Sequence, residues 1–144
     1  MAAGDIIVFD EAKLALLNGT HDLDTHSFNV ALITNAPVPA AADLTPALAD
    51  YTQCATGGNY PAGGFPMTVS LTETGGTATF DFTSDISMAS NAGNPTNIYY
   101  GLIYNNTNVG KEAIGFVEIN ATGFDATGGD LTVAWNAAGI FTLA

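Results

Sequence analysis

From residue 27 onward the chain alternates apolar and polar positions, and a period of two is the signature of strands. In "SFNVALIT" (27–34) Phe28, Val30 and Leu32 fall on one face. "PMTVSLTE" (66–73) does the same with Met67, Val69 and Leu71, and "TATFDF" (77–82) with Ala78, Phe80 and Phe82. Thr74-Gly75-Gly76 lies between the last two and predicts a tight hairpin, because glycine accepts positive φ. "NIYYGLIY" (97–104) and "EAIGFVEI" (112–119) predict a second hairpin around "NNTNVG". Both faces of that pair are largely apolar, which predicts central positions in a layered fold. "DLTVAW" (130–135) and "GIFTL" (139–143) bring the count to seven strands, with Trp135, Ile140 and Leu143 expected in the core or at its edge.

Two regions depart from the alternation. Residues 10–17, "DEAKLALL", predict a helix capped by Asp10 and ended by Asn18-Gly19. Residues 35–65 hold four of the six prolines and predict a long surface loop region with one helical turn near Thr45–Asp50. The expected architecture is all-β: a single antiparallel β-sandwich or jelly-roll-like domain over residues 1–144, with one short N-terminal helix. Residues 1–9, with the apolar run "AGDIIVF" (3–9), are expected to form an extended arm able to add to a neighbour's sheet edge.

Composition narrows the function classes. At 144 residues the chain is long enough to bury a real core, and 47% of it is hydrophobic. The formal net charge is −12, with Lys13 and Lys111 the two basic residues and no arginine. Phosphate backbones and anionic lipids attract basic surfaces, so neither nucleic acid nor a membrane is an expected partner. Cys54 is the one cysteine, so the disulfide framework of small secreted domains is absent. The first residues carry no basic segment of the kind that opens a signal peptide, and synthesis in a cytoplasm is expected.

Candidate chemistry is thin. "HDLDTH" (21–26) offers two imidazoles and two carboxylates, a metal-ligand vocabulary, but reads more simply as a polar turn with Leu23 pointing inward. "GFDATGGD" (123–130) lacks the ligand spacing of a calcium loop and reads as a glycine turn. There is no G-x-S-x-G elbow, and Cys54 in "TQCAT" reads as a buried structural thiol. No catalytic, metal-binding or cofactor-binding residue is assigned, and no cofactor is expected. Tyr60 and Phe65, in "NYPAGGF" (59–65), are the aromatics expected to be exposed.

Several stretches, in order, carry a resemblance. They are "FDEAKLALLNGTHDLDTHSFNVALIT" (9–34), "YPAGG" (60–64), the strand pair ending in "TFDF", "YGLIYNN" (100–106) and "LTVAWNAAGIFTL" (131–143). Together they resemble small virion proteins of tailed bacteriophages, the capsid decoration or cement proteins. The resemblance implies a non-enzymatic protein on the outside of an assembled capsid, with the major capsid protein as partner and a homo-oligomer, dimer or trimer, as the working state. Such a protein stabilises the shell by binding the mature lattice better than its dissociated subunits. Ile6, Ile7, Phe9, Tyr60 and Phe65 are the expected contact residues. The alternatives are a phage tail or head-fibre component and a carbohydrate-binding β-sandwich, the latter needing exposed stacking aromatics.

Overall fold

The computed structural model describes residues 5–144. Among them are ten strands and one α-helix: β1 (Ile6–Val8), α1 (Asp10–Leu17), β2 (Phe28–Ile33), β3 (Phe65–Met67), β4 (Val69–Thr74), β5 (Thr77–Phe82), β6 (Ile86–Met88), β7 (Tyr100–Asn105), β8 (Ala113–Glu118), β9 (Leu131–Val133) and β10 (Phe141–Leu143). A 3₁₀ turn at Leu48–Asp50 lies where the helical turn is expected. Every strand pairing is antiparallel. The strand order is β1-β8-β7-β2-β3 in a five-stranded sheet, β10-β5-β4 in a second and β6-β9 in a third. The small sheets pack on one face of the large one, giving the β-sandwich-like, mostly β fold that the alternation predicts.

The central strands β2, β7 and β8 are apolar on both faces because both faces are covered. Phe28, Val30, Leu32, Ile103, Ile114 and Val117 pack toward Phe80, Phe82, Ile86, Met88, Leu131 and Val133 of the small sheets. Ala31, Ile33, Leu102, Tyr104, Ala113 and Phe116 pack on the opposite side, with Phe9 and Ala12 of the α1 segment and with Tyr51. A bulge between Ile103 and Tyr104 pairs them with Gly115 and Ala113 and leaves Ile114 without an opposite residue. That extra residue is why Ile114 and Val117 share a face despite their odd spacing.

The β4–β5 hairpin closes as expected. Thr74 pairs with Thr77, and Gly75 and Gly76 take φ of 61° and 87°, the double positive φ of a two-residue turn that matches strand twist. Helix α1 occupies the residues expected, but its cap differs. Phe9 stands at the N-cap position with no side-chain bond, and Asp10 is the first helical residue. Its carboxylate instead meets Lys13 at 2.7 Å on the exposed face, a pair of little energetic weight. Burial of Phe9, not capping, places the start of the helix.

Three expectations are corrected. Residues 6–8 of the expected arm are β1, paired with the chain's own β8 as Ile6–Val117, Ile7–Phe116 and Val8–Gly115, while residues 1–4 lie outside the described residues. The 35–65 region is not a surface loop alone. Its backbone is tied to the large sheet by Thr34 N–H to Thr52 O, Cys54 N–H to Leu32 O and Ala113 N–H to Pro46 O. It buries Tyr51, Cys54 and Tyr60. At the C-terminus Ile140 is buried and Trp135 is half-buried against Phe82, but Leu143 is 60% exposed.

Candidate functional site

The structure separates the five expected contact residues. Phe9 is fully buried, its ring between Tyr51 and Phe116 at centroid distances of 6.3 and 5.3 Å, so it belongs to the core and offers a partner nothing. Ile6 and Ile7 are half-buried on β1, at the margin of the large sheet, whose outer edge no strand among the described residues pairs. Tyr60 is 2% exposed and Phe65 is half-buried against it, with ring centroids 5.5 Å apart. The two do not form the expected exposed stacking platform. Tyr60 turns inward because its hydroxyl is needed there: it accepts the buried Leu32 N–H at 2.9 Å, a position on β2 that β3 does not reach. Burial pushes its phenol up to about 12, against the opposing effect of that hydrogen bond.

The motif "HDLDTH" builds a polar cluster. The Asp22 carboxylate accepts from Asp24 N–H, Thr25 N–H and the Thr25 hydroxyl, which lowers its pKa, the hydroxyl contributing most. Leu23 packs half-buried on the core, as expected. His21 is buried at 4% exposure and His26 half-buried, and both turn Nδ1 toward one amide, that of Asn105 on β7. Asn105 Nδ2 stands 3.2 Å from His21 Nδ1 and 2.8 Å from His26 Nδ1. Its Oδ1 accepts Thr107 N–H at 3.0 Å and Asn108 N–H at 3.4 Å, which fixes the orientation of the amide. An amide nitrogen only donates, so both Nδ1 atoms are acceptors and both imidazoles carry their proton on Nε2.

Beside this cluster lies a cavity of about 380 Å³, lined by α1 residues including Ala12, Leu14 and Ala15, by Pro46 and Ala47, and by His21 and Glu112. Among the described residues His21 Nε2 and Glu112 Oε2 are buried without a hydrogen-bond partner. Desolvation lowers the His21 pKa; the Glu112 charge opposes this and His26 adds to it. No group of three His, Cys, Asp or Glu side chains among the described residues is gathered as a metal site requires. Cys54 is buried, its Sγ 3.8 Å from Asn97 O, and burial pushes its thiol up to about 11. A thiol so protonated is a poor nucleophile.

A second feature is apolar. Val8, Leu16, Leu17, Phe141 and Leu143, with Lys13 and Thr142, line a groove of about 310 Å³ between α1 and β10. Leu17 is 88% exposed, Leu143 60% and, nearby on the same helix, Leu14 56%. An adjoining groove is lined by Asp5 and Ile6 at β1 and by Phe141 and Thr142 of β10, so edge strands of two different sheets flank it. Asn105, Glu112 and this α1–β10 surface are absent from the expected contact set. For Asn105 and Glu112 no local signal exists, since 84 residues separate His21 from Asn105. For Leu17 a signal was present: an apolar residue directly before the Asn18-Gly19 stop has no further turn to shelter it.

No protein-family model, no curated protein and no solved structure matches the chain.

Proposed function

We propose that this chain is a non-enzymatic virion structural protein that binds the outside of an assembled phage capsid and stabilises it. The reading starts from the order of motifs that resembles decoration proteins. The observation that carries it into three dimensions is the apolar surface formed by the exposed Leu17 and Leu143 and the groove they line between α1 and β10. A surface of this kind, on a chain with a net charge of −12, is suited to a protein partner rather than to nucleic acid. The surrounding acidic exterior complements a basic patch on a major capsid protein and sets orientation more than affinity. The outer edge of β1, which no strand among the described residues pairs, carries Ile6 and Ile7, borders the same region and suits addition of a partner strand. Copies clustered as dimers or trimers would bind a repeating lattice with avidity.

The test is sedimentation with capsids stripped of this protein, measuring bound copies per shell and the capsid melting temperature. Saturable binding in high copy number with a raised melting temperature supports the reading, and Leu17→Glu with Leu143→Glu should abolish it while leaving the fold intact. A handful of copies would point to a tail or head-fibre position. Absence of binding would overturn it. The carbohydrate-binding alternative would need stacking aromatics other than Tyr60, which is buried, and Phe65, which is half-buried.

A further inference from the structure

Two histidines share one amide where the α1–β2 connection (18–27) meets the end of β7. Asn105 is fully buried, and its NH₂ donates to Nδ1 of both His21 and His26. The amide is held from its other side, where Oδ1 accepts Thr107 N–H and Asn108 N–H. His26 Nδ1 faces a second donor, Asp22 N–H at 3.3 Å. With the neutral rings protonated on Nε2, the one place left for a second proton is Nδ1. Charging either ring therefore turns an acceptor into a donor aimed at an NH₂. Turning the amide over would offer Oδ1 to the rings but set the NH₂ against Thr107 and Asn108 N–H, so neither orientation satisfies both sides. The neighbouring residues fasten the α1–β2 connection to the β7–β8 connection (106–112). Ser27 N–H donates to Thr107 Oγ1 at 2.8 Å, Asn106 N–H to Ser27 O at 2.8 Å and Asn108 Nδ2 to Thr20 O at 2.7 Å. The charges around the pair are few. Glu112 favours a charged His21, Glu11 of α1 lines the same cavity, Asp22 lies beside His26, and Lys111 is turned to Asn106. Burial of His21 outweighs the Glu112 charge, and a charged His26 opposes charge on His21 as well.

We propose that His21, His26 and Asn105 form an acid-released latch, in which two Nδ1 acceptors hold the α1–β2 connection on the β7–β8 connection and protonation at Nδ1 frees it while the sheets stay folded. The latch does not rest on the capsid reading. Each proton taken up on release favours the open form by up to tenfold per pH unit. Long-range nitrogen–proton correlation spectra of the histidine rings at neutral pH give the tautomers, and both should be Nε2–H. Native-state hydrogen exchange, corrected for the intrinsic pH dependence of exchange, reads the opening. Between about pH 7 and about pH 5 the protection of the Ser27 and Asn106 amides should fall about tenfold or more. Low urea should leave these two rates unchanged, because a local opening exposes little surface, while it speeds exchange at the centre of β2 and β7. His21→Asn with His26→Asn puts an unchargeable acceptor oxygen where each Nδ1 stands and should keep both amides protected at pH 5. Asn105→Asp replaces the NH₂ with an oxygen that prefers charged rings, so protection should instead rise in acid. The proposal is overturned by an Nδ1–H tautomer on either ring, by protection that does not change with pH, or by loss of protection only through urea-dependent global unfolding. It is equally overturned if the double asparagine variant or Asn105→Asp loosens in acid as the wild type does.

Discussion

Tyr60→Phe removes one oxygen atom and tests why the 35–65 region folds against the sheet at all. The Tyr60 hydroxyl accepts Leu32 N–H at 2.9 Å, and both residues are buried. Strand β3 pairs with β2 at Phe28, Asn29 and Val30, so beyond Val30 that edge of β2 has lost its ladder partner. The chain itself supplies substitutes: Cys54 N–H donates to Leu32 O at 2.9 Å, and Tyr60 receives the Leu32 N–H. Phenylalanine keeps the ring and its contact with Phe65 and leaves the N–H buried and unpaired. An orphaned buried donor costs about 1–3 kcal/mol. With a urea dependence near 2 kcal/mol per molar, the midpoint should fall by about 0.5–1.5 M at unchanged slope. Tyr104→Phe is the matched control. Its hydroxyl donates to Gly63 O at 2.6 Å, but that carbonyl keeps the Asn29 amide at 3.2 Å, so no group is orphaned. The control should cost about 0.5–1.5 kcal/mol. A Tyr60→Phe protein within about 0.5 kcal/mol of wild type, or less affected than Tyr104→Phe, would refute the assignment of the hydroxyl as a structural acceptor.

Three further predictions come from other parts of the molecule. Gly64 has φ of 83°, and a Cβ there would strike Val30 O and Ala31 Cα, which are backbone and cannot move aside; Gly64→Ala should therefore cost more than about 2 kcal/mol in urea unfolding, whereas Gly75→Ala, with open space around it, should cost less. Cys54, with its thiol pushed up to about 11, should react with a thiol reagent far more slowly in the native protein than in denaturant. Equal rates would contradict its burial. His21 has a folded pKa below the ordinary 6.5, so the unfolded chain binds the extra proton first. Stability from this residue is full above 6.5 and is lost as pH falls from there toward the folded value, by about 1.4 kcal/mol for each tenfold reduction in proton affinity. Urea midpoints measured between about pH 7 and about pH 5 should fall more steeply for wild type than for His21→Phe, and parallel slopes would show that His21 does not stay neutral.

The local elements were legible in the chain alone. Period-two alternation marked β2, β5, β7 and β8, because a strand's side chains must alternate whatever they face. Gly75-Gly76 marked its hairpin, and the run Asp10–Leu17 its helix, because these depend on φ preferences within a few residues. The apolar character of both faces of β7 and β8 also announced that both sides would be covered.

Which residues cover them emerges only once distant segments are packed together. The run from Asn97 to Tyr104 looks the same whether its partner is β2 or a neighbouring subunit. Short strands β1 and β6 carry too few residues for a period to register, and β1 reads equally as an arm until β8 is present to pair with it. Tyr60 and Phe9 read as contact residues because an aromatic in a loop and one in a core use the same side chain; only the unpaired N–H of Leu32 and the space between Tyr51 and Phe116 settle their direction. The His21–Asn105–Glu112 arrangement is the extreme case. Its members come from three separate segments, and an imidazole's tautomer depends on which atom the fold brings to its other nitrogen. Spacing along a chain does not encode that; packing does.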